Sequence, residues 1–257
     1  MRRVLTSLVL IPLVIYLVLL ANWWLVAAAV ALVACACFYE YRNLTAAYGF
    51  GAPSALGYVA GLLLLFANAD PWPWLVLVLA GLITLTLALR EQDLRQALPR
   101  AALLVMGVVY AFGCWKCALP LRERNPHWLM YALLVSWAGD IGGYYIGRSF
   151  GKRLLAERVS PNKTWEGTAA SLVCSAAIAG AYLLRFVPGV SVIQAVLLTL
   201  AANAAGQLGD LAESVIKRGA GVKDSGLLLP GHGGMLDRVD SALFVLPVVY
   251  AYVRLAG

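Results

Sequence analysis

The sequence predicts an all-α fold, a polytopic bundle of about nine transmembrane helices with the N-terminus inside and the C-terminus outside. Three observations predict it. Mean hydropathy is +0.80, and only 13% of the 257 residues are charged against 62% hydrophobic, too little polar surface to cover a water-soluble globule of this length. Apolar runs recur along the chain at roughly the 17–21 residues a helix needs to cross hydrocarbon. The charge that remains is gathered rather than spread. Between Gly209 and Ser241 stand five acids (Asp210, Glu213, Asp224, Asp237, Asp240) and four bases (Lys217, Arg218, Lys223, Arg238), which in a lipid-soluble chain must be compensated by one another, by a metal or by a charged ligand.

In chain order the predicted spans are 4–21, 23–39, 54–69, 72–89, 101–120, 128–147, 167–187, 190–209 and 239–256. The first follows a basic start like that of a signal peptide, but no A-x-A-like cleavage site closes it, so it reads as a retained span. Gly57 and Gly61 interrupt the third, and Lys116 lies in the fifth. Counting Lys and Arg in alternate loops gives fifteen on the side of the N-terminus and five on the other, which sets the orientation by the positive-inside rule. Loops 148–166 and 210–238 then share the cytoplasmic side. Residues 1–120 are expected to be scaffold helices and 121–257 a catalytic region. The net charge of +7 suits anionic headgroups or a polyphosphate.

Among the scaffold residues, Asp70-Pro71-Trp72-Pro73-Trp74 reads as an interfacial turn with aromatic anchors. Residues 90–95 read as a short surface helix, and Glu40-Tyr41-Arg42 as a solvated helix end. Five cysteines give no disulfide framework. Cys114 and Cys117 have C-x-x-C spacing without a second pair, and they read as small buried residues, as do Cys35, Cys37 and Cys174.

The sixth span differs. Gly139, Gly143, Gly147 and Gly151 recur every four residues and permit close approach of another helix, so Asp140 beside them faces protein, water or a cation rather than lipid. Its bland alternative is an ion pair with Arg148. Ser160-Pro161-Asn162-Lys163 resembles an N-cap followed by a first-turn proline, whose free amides with Lys163 would cradle phosphate; it is equally an everyday turn. If the eighth helix runs on past Gly209, Asp210, Ser214 and Lys217 share one side with Arg218 close by, while Glu213 and Lys217 form a ladder pair. Pro230-Gly231-His232-Gly233-Gly234 sets one histidine in a loop whose backbone can approach a ligand. Asp237 and Asp240, three apart at the start of the last helix, suit one magnesium ion or two metals. No Cys/His cluster suggests zinc.

At Ser214, Lys217, Arg218, Lys223, Asp224, Gly226, Pro230, His232, Gly233, Gly234, Asp237, Arg238 and Asp240 the chain resembles the phosphatidate cytidylyltransferase (CDP-diacylglycerol synthase) family. Asp140–Lys152 and Ser160–Gly167 resemble two further family stretches, so the likeness covers roughly residues 136–241. One departure is an additional leucine between Gly226 and Pro230. The resemblance implies transfer of CMP from CTP to phosphatidic acid, giving CDP-diacylglycerol and pyrophosphate. It implies Asp210, Asp237 and Asp240 as ligands of Mg2+, with a second cation, and Ser214 completing the metal shell or touching phosphate. Lys217, Arg218 and Lys223 would neutralise the triphosphate, while Asn162 and Lys163 would reach CTP or the lipid headgroup. Asp140, Asp224, His232, Gly233, Gly234 and Arg238 would complete substrate binding. It further implies an integral protein of the bacterial cytoplasmic membrane, a homodimer, and no nucleic-acid partner. Two other readings remain open, a CTP-dependent polyprenol kinase and an anion transporter; against the transporter, no inverted repeat relates the two halves and the charge gathers at one face.

Overall fold

Backbone amides and carbonyls find no water in hydrocarbon, so apolar stretches of this kind close their hydrogen bonds within themselves as helices. The computed structural model describes residues 2–51, 54–228 and 233–256, and among the described residues it contains nine helical rods. They are α1 (Arg2–Leu19), α2 (Trp23–Ala47), α3 (Ser54–Phe66), α4 (Trp72–Leu87), α5 (Leu94–Arg124), α6 (Pro126–Phe150), α7 (Trp165–Phe186), α8 (Val192–Gly219) and α9 (Leu236–Leu255). A two-stranded antiparallel hairpin, β1 (Leu154–Ala156) and β2 (Ser160–Thr164), separates α6 from α7. Each predicted span falls on one rod. Five segments, Trp23–Ala47, Trp72–Arg90, Leu94–Arg124, Trp165–Phe186 and Val192–Gly219, are long and apolar enough to cross a membrane. The chain is an integral membrane protein.

Three boundaries depart from the sequence reading. Helix α2 runs to Ala47, so Glu40 lies inside it rather than at a solvated end, and its side chain is 0% exposed. Residues 90–95 form no surface helix; two 3-10 turns, Ala88–Arg90 and Leu94–Gln96, flank Asp93, whose carboxylate accepts from Arg95 N at 3.1 Å. Helix α8 continues past 209 to Gly219, which meets the condition for Asp210, Ser214 and Lys217 to share a side. Within α5, Val108–Gly113 widens into a π-turn.

The chain divides into two compact units. The first comprises Met1–Val26, Cys117–Val215 and Arg238–Gly257. Its centre is α6 against α7, and the glycine stripe of α6 is what lets them meet. A β-carbon added at Gly142 would lie 2.5 Å from Cys174 Sγ, and one at Gly147 would lie 3.3 Å from Gly167 Cα. In the same unit Gly209 of α8 leaves room for the Asp240 carbonyl, 2.7 Å from where its β-carbon would stand. The second unit comprises Ala27–Lys116 and Ile216–Asp237. Phe38, Tyr41 and Phe112 fill its core, and Tyr48 donates to the Ile216 carbonyl at 2.7 Å, tying the 216–237 segment to α2.

Candidate active site

In the first unit a cavity of about 280 Å³ opens among α6, β2, α7, α8 and α9. Each element delivers its residue for a local reason. Asp140 stands on α6 beside the glycines that press this helix against α7. The β1–β2 hairpin is pinned at its base, since Glu166 accepts from Lys152 N at 3.1 Å and Arg153 N at 3.3 Å, and Trp165 N donates to the Arg153 carbonyl at 2.9 Å. Thr164 then caps α7, its hydroxyl accepting from Gly167 N at 3.1 Å. The helix start expected at Ser160–Pro161 is therefore displaced to Thr164. Pro161 sits instead on β2, in a sheet of two edge strands where a missing N–H is tolerated.

This local folding aims Lys163 and Asn162 into the cavity from the residues just ahead of a capped helix. Lys163 Nζ meets Asp210 Oδ2 at 2.6 Å, and the Ser214 hydroxyl reaches Asp210 Oδ1 at 3.5 Å. Asp140 and Asp210 both line the cavity, so one ammonium and two carboxylates border one space. Arg148, the bland candidate partner of Asp140, donates to the Tyr144 hydroxyl at 2.7 Å. Among the described residues no three His, Cys, Asp or Glu side chains gather as a metal cage. Magnesium needs less than a cage, because it takes one or two carboxylates together with substrate phosphates and water. Asp140, Asp210 and the Asn162 amide oxygen fit that hard-oxygen donor set.

Asp240 lies just past the first turn of α9, where one carboxylate oxygen accepts from Ser241 N at 2.7 Å. Arg238 is exposed on the first turn.

The second unit holds the other charged residues in a different way. Lys217 Nζ meets Asp237 Oδ1 at 2.6 Å, while Asp237 Oδ2 accepts from Gly234 N at 2.8 Å and Ser225 N at 3.0 Å. Burial pushes the Asp237 carboxyl upward, but the Lys217 ammonium and the two amides together outweigh it and hold the group below the ordinary carboxylate value. Glu40 completes a clasp that sequence reasoning missed. It accepts from the Ser225 hydroxyl at 2.8 Å, Met235 N at 2.9 Å and Leu236 N at 2.8 Å. Two carboxylates thus tie residue 225 to residues 234–236. Gly233 takes φ +83°, a conformation that favours glycine, and Gly234 is buried because the Ser225 hydroxyl and Glu40 crowd the place of its missing side chain. Arg218 donates to the Val222 carbonyl at 3.2 Å, and Lys223 and Asp224 are exposed. His232 lies outside the described residues. Glu213 is wholly buried, and Lys217 pairs with Asp237 at 2.6 Å where helix spacing pointed to Glu213.

Sequence reasoning also passed over a polar file that runs from Gln207 and Ser171 at the cavity wall to Asn203 and Ser175 buried behind it. Its signal was present, since Asn203 and Gln207 are two amides four apart within the predicted span 190–209.

A family model described as the cytidylyltransferase family matches residues 1–256. A protein named phosphatidate cytidylyltransferase from Staphylococcus aureus (strain COL) is 38% identical over 205 residues, covering 77% of each chain. One of the same name from Bacillus subtilis (strain 168) is 41% identical over 155 residues, 59% of this chain and 58% of that protein. Another, from Staphylococcus haemolyticus (strain JCSC1435), is 45% identical over 150 residues, 58% of this chain and 57% of that protein. The match thus spans somewhat over half the length of the latter two relatives.

Proposed function

The chain belongs to the cytidylyltransferase family, and from that premise we propose that it is a phosphatidate cytidylyltransferase, converting CTP and phosphatidic acid to CDP-diacylglycerol and pyrophosphate. One observation carries the reading: Lys163 and Asp210, 2.6 Å apart, share a cavity of about 280 Å³ with Asp140. A cation for phosphate and paired carboxylates for a hard metal are what the union of two polyanions needs.

In the reaction an anionic oxygen of the phosphatidate phosphate attacks the α-phosphorus of CTP. The new bond joins lipid phosphate to CMP, the bond between the α-phosphorus and the bridging oxygen breaks, and that oxygen leaves with pyrophosphate. A phosphomonoester is already substantially dianionic near neutral pH, with its second ionisation near pKa 6, so no side chain has to remove a proton. Lys163 turns its ammonium from Asp210 to incoming phosphate, and Asn162 orients the same group by hydrogen bonding. Asp140 and Asp210 would hold magnesium, which when bound would supply charge neutralisation for the triphosphate and its leaving group. Asp237, Asp240 and a second cation extend this ligand set by the sequence motif alone. By the same motif Ser214 completes the metal shell or touches phosphate, Lys217, Arg218 and Lys223 neutralise phosphate charge, and Asp224, His232, Gly233, Gly234 and Arg238 complete substrate binding.

The excess of fifteen bases over five on alternate loops supports an N-in, C-out orientation in a bacterial cytoplasmic membrane, so that CTP enters from the cytoplasm. A homodimer is the proposed assembly, and light scattering of the purified protein checks it.

Purified protein supplied with labelled CTP, magnesium and phosphatidate is expected to release pyrophosphate and place CMP on the lipid. Free CDP with a phosphorylated polyprenol would assign a kinase instead. Substrate-dependent uptake into liposomes without pyrophosphate release would assign transport.

A further inference from the structure

We propose that Gln207 selects the nucleotide base, its side-chain carbonyl Oε1 accepting a hydrogen bond from the 4-amino group of cytosine. The inference rests on the cytidylyltransferase reading and adds to it the residue that distinguishes CTP from UTP.

The orientation of Gln207 is set from a group that cannot be turned around. The Val135 backbone carbonyl only accepts, so the Ser175 hydroxyl, 2.8 Å away and 0% exposed, gives its single proton to it. Ser175 Oγ can then only accept from Asn203, 2.8 Å away, and the atom facing it must be the amide nitrogen Nδ2. Asn203 Nδ2 also lies 3.0 Å from Ser171 Oγ, so its two protons have two acceptors. The opposite atom, Asn203 Oδ1, accepts from Gln207 at 2.6 Å, which fixes that contact as Gln207 Nε2. A second Gln207 proton points to the Thr168 carbonyl at 3.4 Å. Both N–H groups of Gln207 are thereby committed, with orientation inherited step by step from a backbone carbonyl.

The remaining polar atom of Gln207 is Oε1, which accepts no hydrogen bond among the described residues. Gln207 lines the cavity that holds Asp140, Lys163 and Asp210. The cavity thus presents a fixed acceptor and calls for a donor on the substrate. Ionised phosphates and acyl esters offer none. Cytosine offers its 4-amino group, whereas uracil carries a carbonyl oxygen at that position and would set acceptor against acceptor. Buried polar groups that lose their partner are costly, which makes such a contact selective.

The test compares kcat/KM for CTP, UTP, deoxyCTP and CTP dimethylated on its 4-amino group, with phosphatidate and magnesium, in the wild type, Gln207→Met and Ser175→Ala. The wild type is expected to use CTP and deoxyCTP well, and UTP and the dimethylated nucleotide poorly. In Gln207→Met the CTP-to-UTP ratio is expected to fall roughly tenfold or more. Ser175→Ala, which removes the anchor outside the cavity, is expected to lower the same ratio severalfold because Asn203 and Gln207 can then turn over. A wild type that uses the dimethylated nucleotide as well as CTP overturns the proposal without any variant having to fold. So does an unchanged ratio in an active Gln207→Met protein, or a Gln207 dependence that vanishes with deoxyCTP, which would assign Oε1 to the ribose. Absence of turnover with every nucleotide removes the parent reading and this one with it.

Discussion

The cavity of the first unit and the clasp of the second use the same side-chain chemistry to different ends. In the cavity, the Asp210 carboxylate is met by the side chains of Lys163 and Ser214, at 2.6 and 3.5 Å, and the space beside it is open. In the clasp, Glu40 and Asp237 together accept from four backbone amides counted among the described residues, those of Met235, Leu236, Ser225 and Gly234. A side-chain partner can swing away when a ligand arrives. A backbone amide cannot, so the oxygens filled by amides, both of Glu40 and Oδ2 of Asp237, hold chain, while Asp237 Oδ1, met by the Lys217 side chain, stays open to exchange. The difference separates oxygens open to substrate from oxygens that hold residue 225 to residues 234–236.

The comparison can be broken by substitution, and the largest effect is expected at the cavity. Asp210→Asn should lower CTP-dependent turnover by roughly 10²–10³-fold while leaving the melting temperature in detergent close to wild type; near-normal turnover would break the assignment. Lys163→Met should follow, with about a 10²-fold loss and a higher KM for CTP, read from steady-state kinetics.

Glu40→Gln should show the opposite balance. Its amide sets an N–H group against backbone donors in a fully buried position, so stability should drop by about 2–3 kcal/mol, measured by denaturant titration. If Asp210→Asn and Glu40→Gln lost stability equally, the distinction between the two regions would fail. The smallest effect concerns acid. Asp237 has its pKa lowered on folding, so its contribution is present above the ordinary carboxylate value and is lost as pH falls through the lowered one. Melting temperature followed from pH 6 downward should show this loss only below about pH 4, and Asp237→Asn should flatten that part of the curve.

Much of the architecture was legible because hydrophobic length is a local property. A run such as 167–187 announces its helix without knowledge of its neighbours, and the glycines of α6 announce close packing by their four-residue repeat. Asp140 and Asp210 were likewise legible as charges out of place in an apolar chain, Lys163 only as a base in a loop that read equally as an everyday turn, and three ordered segments resembling one family made the chemistry readable. Glu40 was not. It stands after an apolar run, where an acid is ordinarily solvated, and its partners Ser225, Met235 and Leu236 are some two hundred residues away in sequence, 185, 195 and 196 positions on. Thr164 was passed over for Ser160 because both can cap a helix, and the choice depended on a hairpin held by Glu166.

What the sequence by itself determined, then, is the set of helices, their apolar character and the chemical identity of the residues at the candidate site, since each follows from composition over a short window. Only the tertiary structure decided which carboxylate faces a cavity and which is closed by amides, and which way the Gln207 amide is turned. The physical reason is that hydrogen-bond commitment is settled by partners distant in the chain. The same aspartate or glutamate is a ligand where its neighbours can move and a strut where they are backbone.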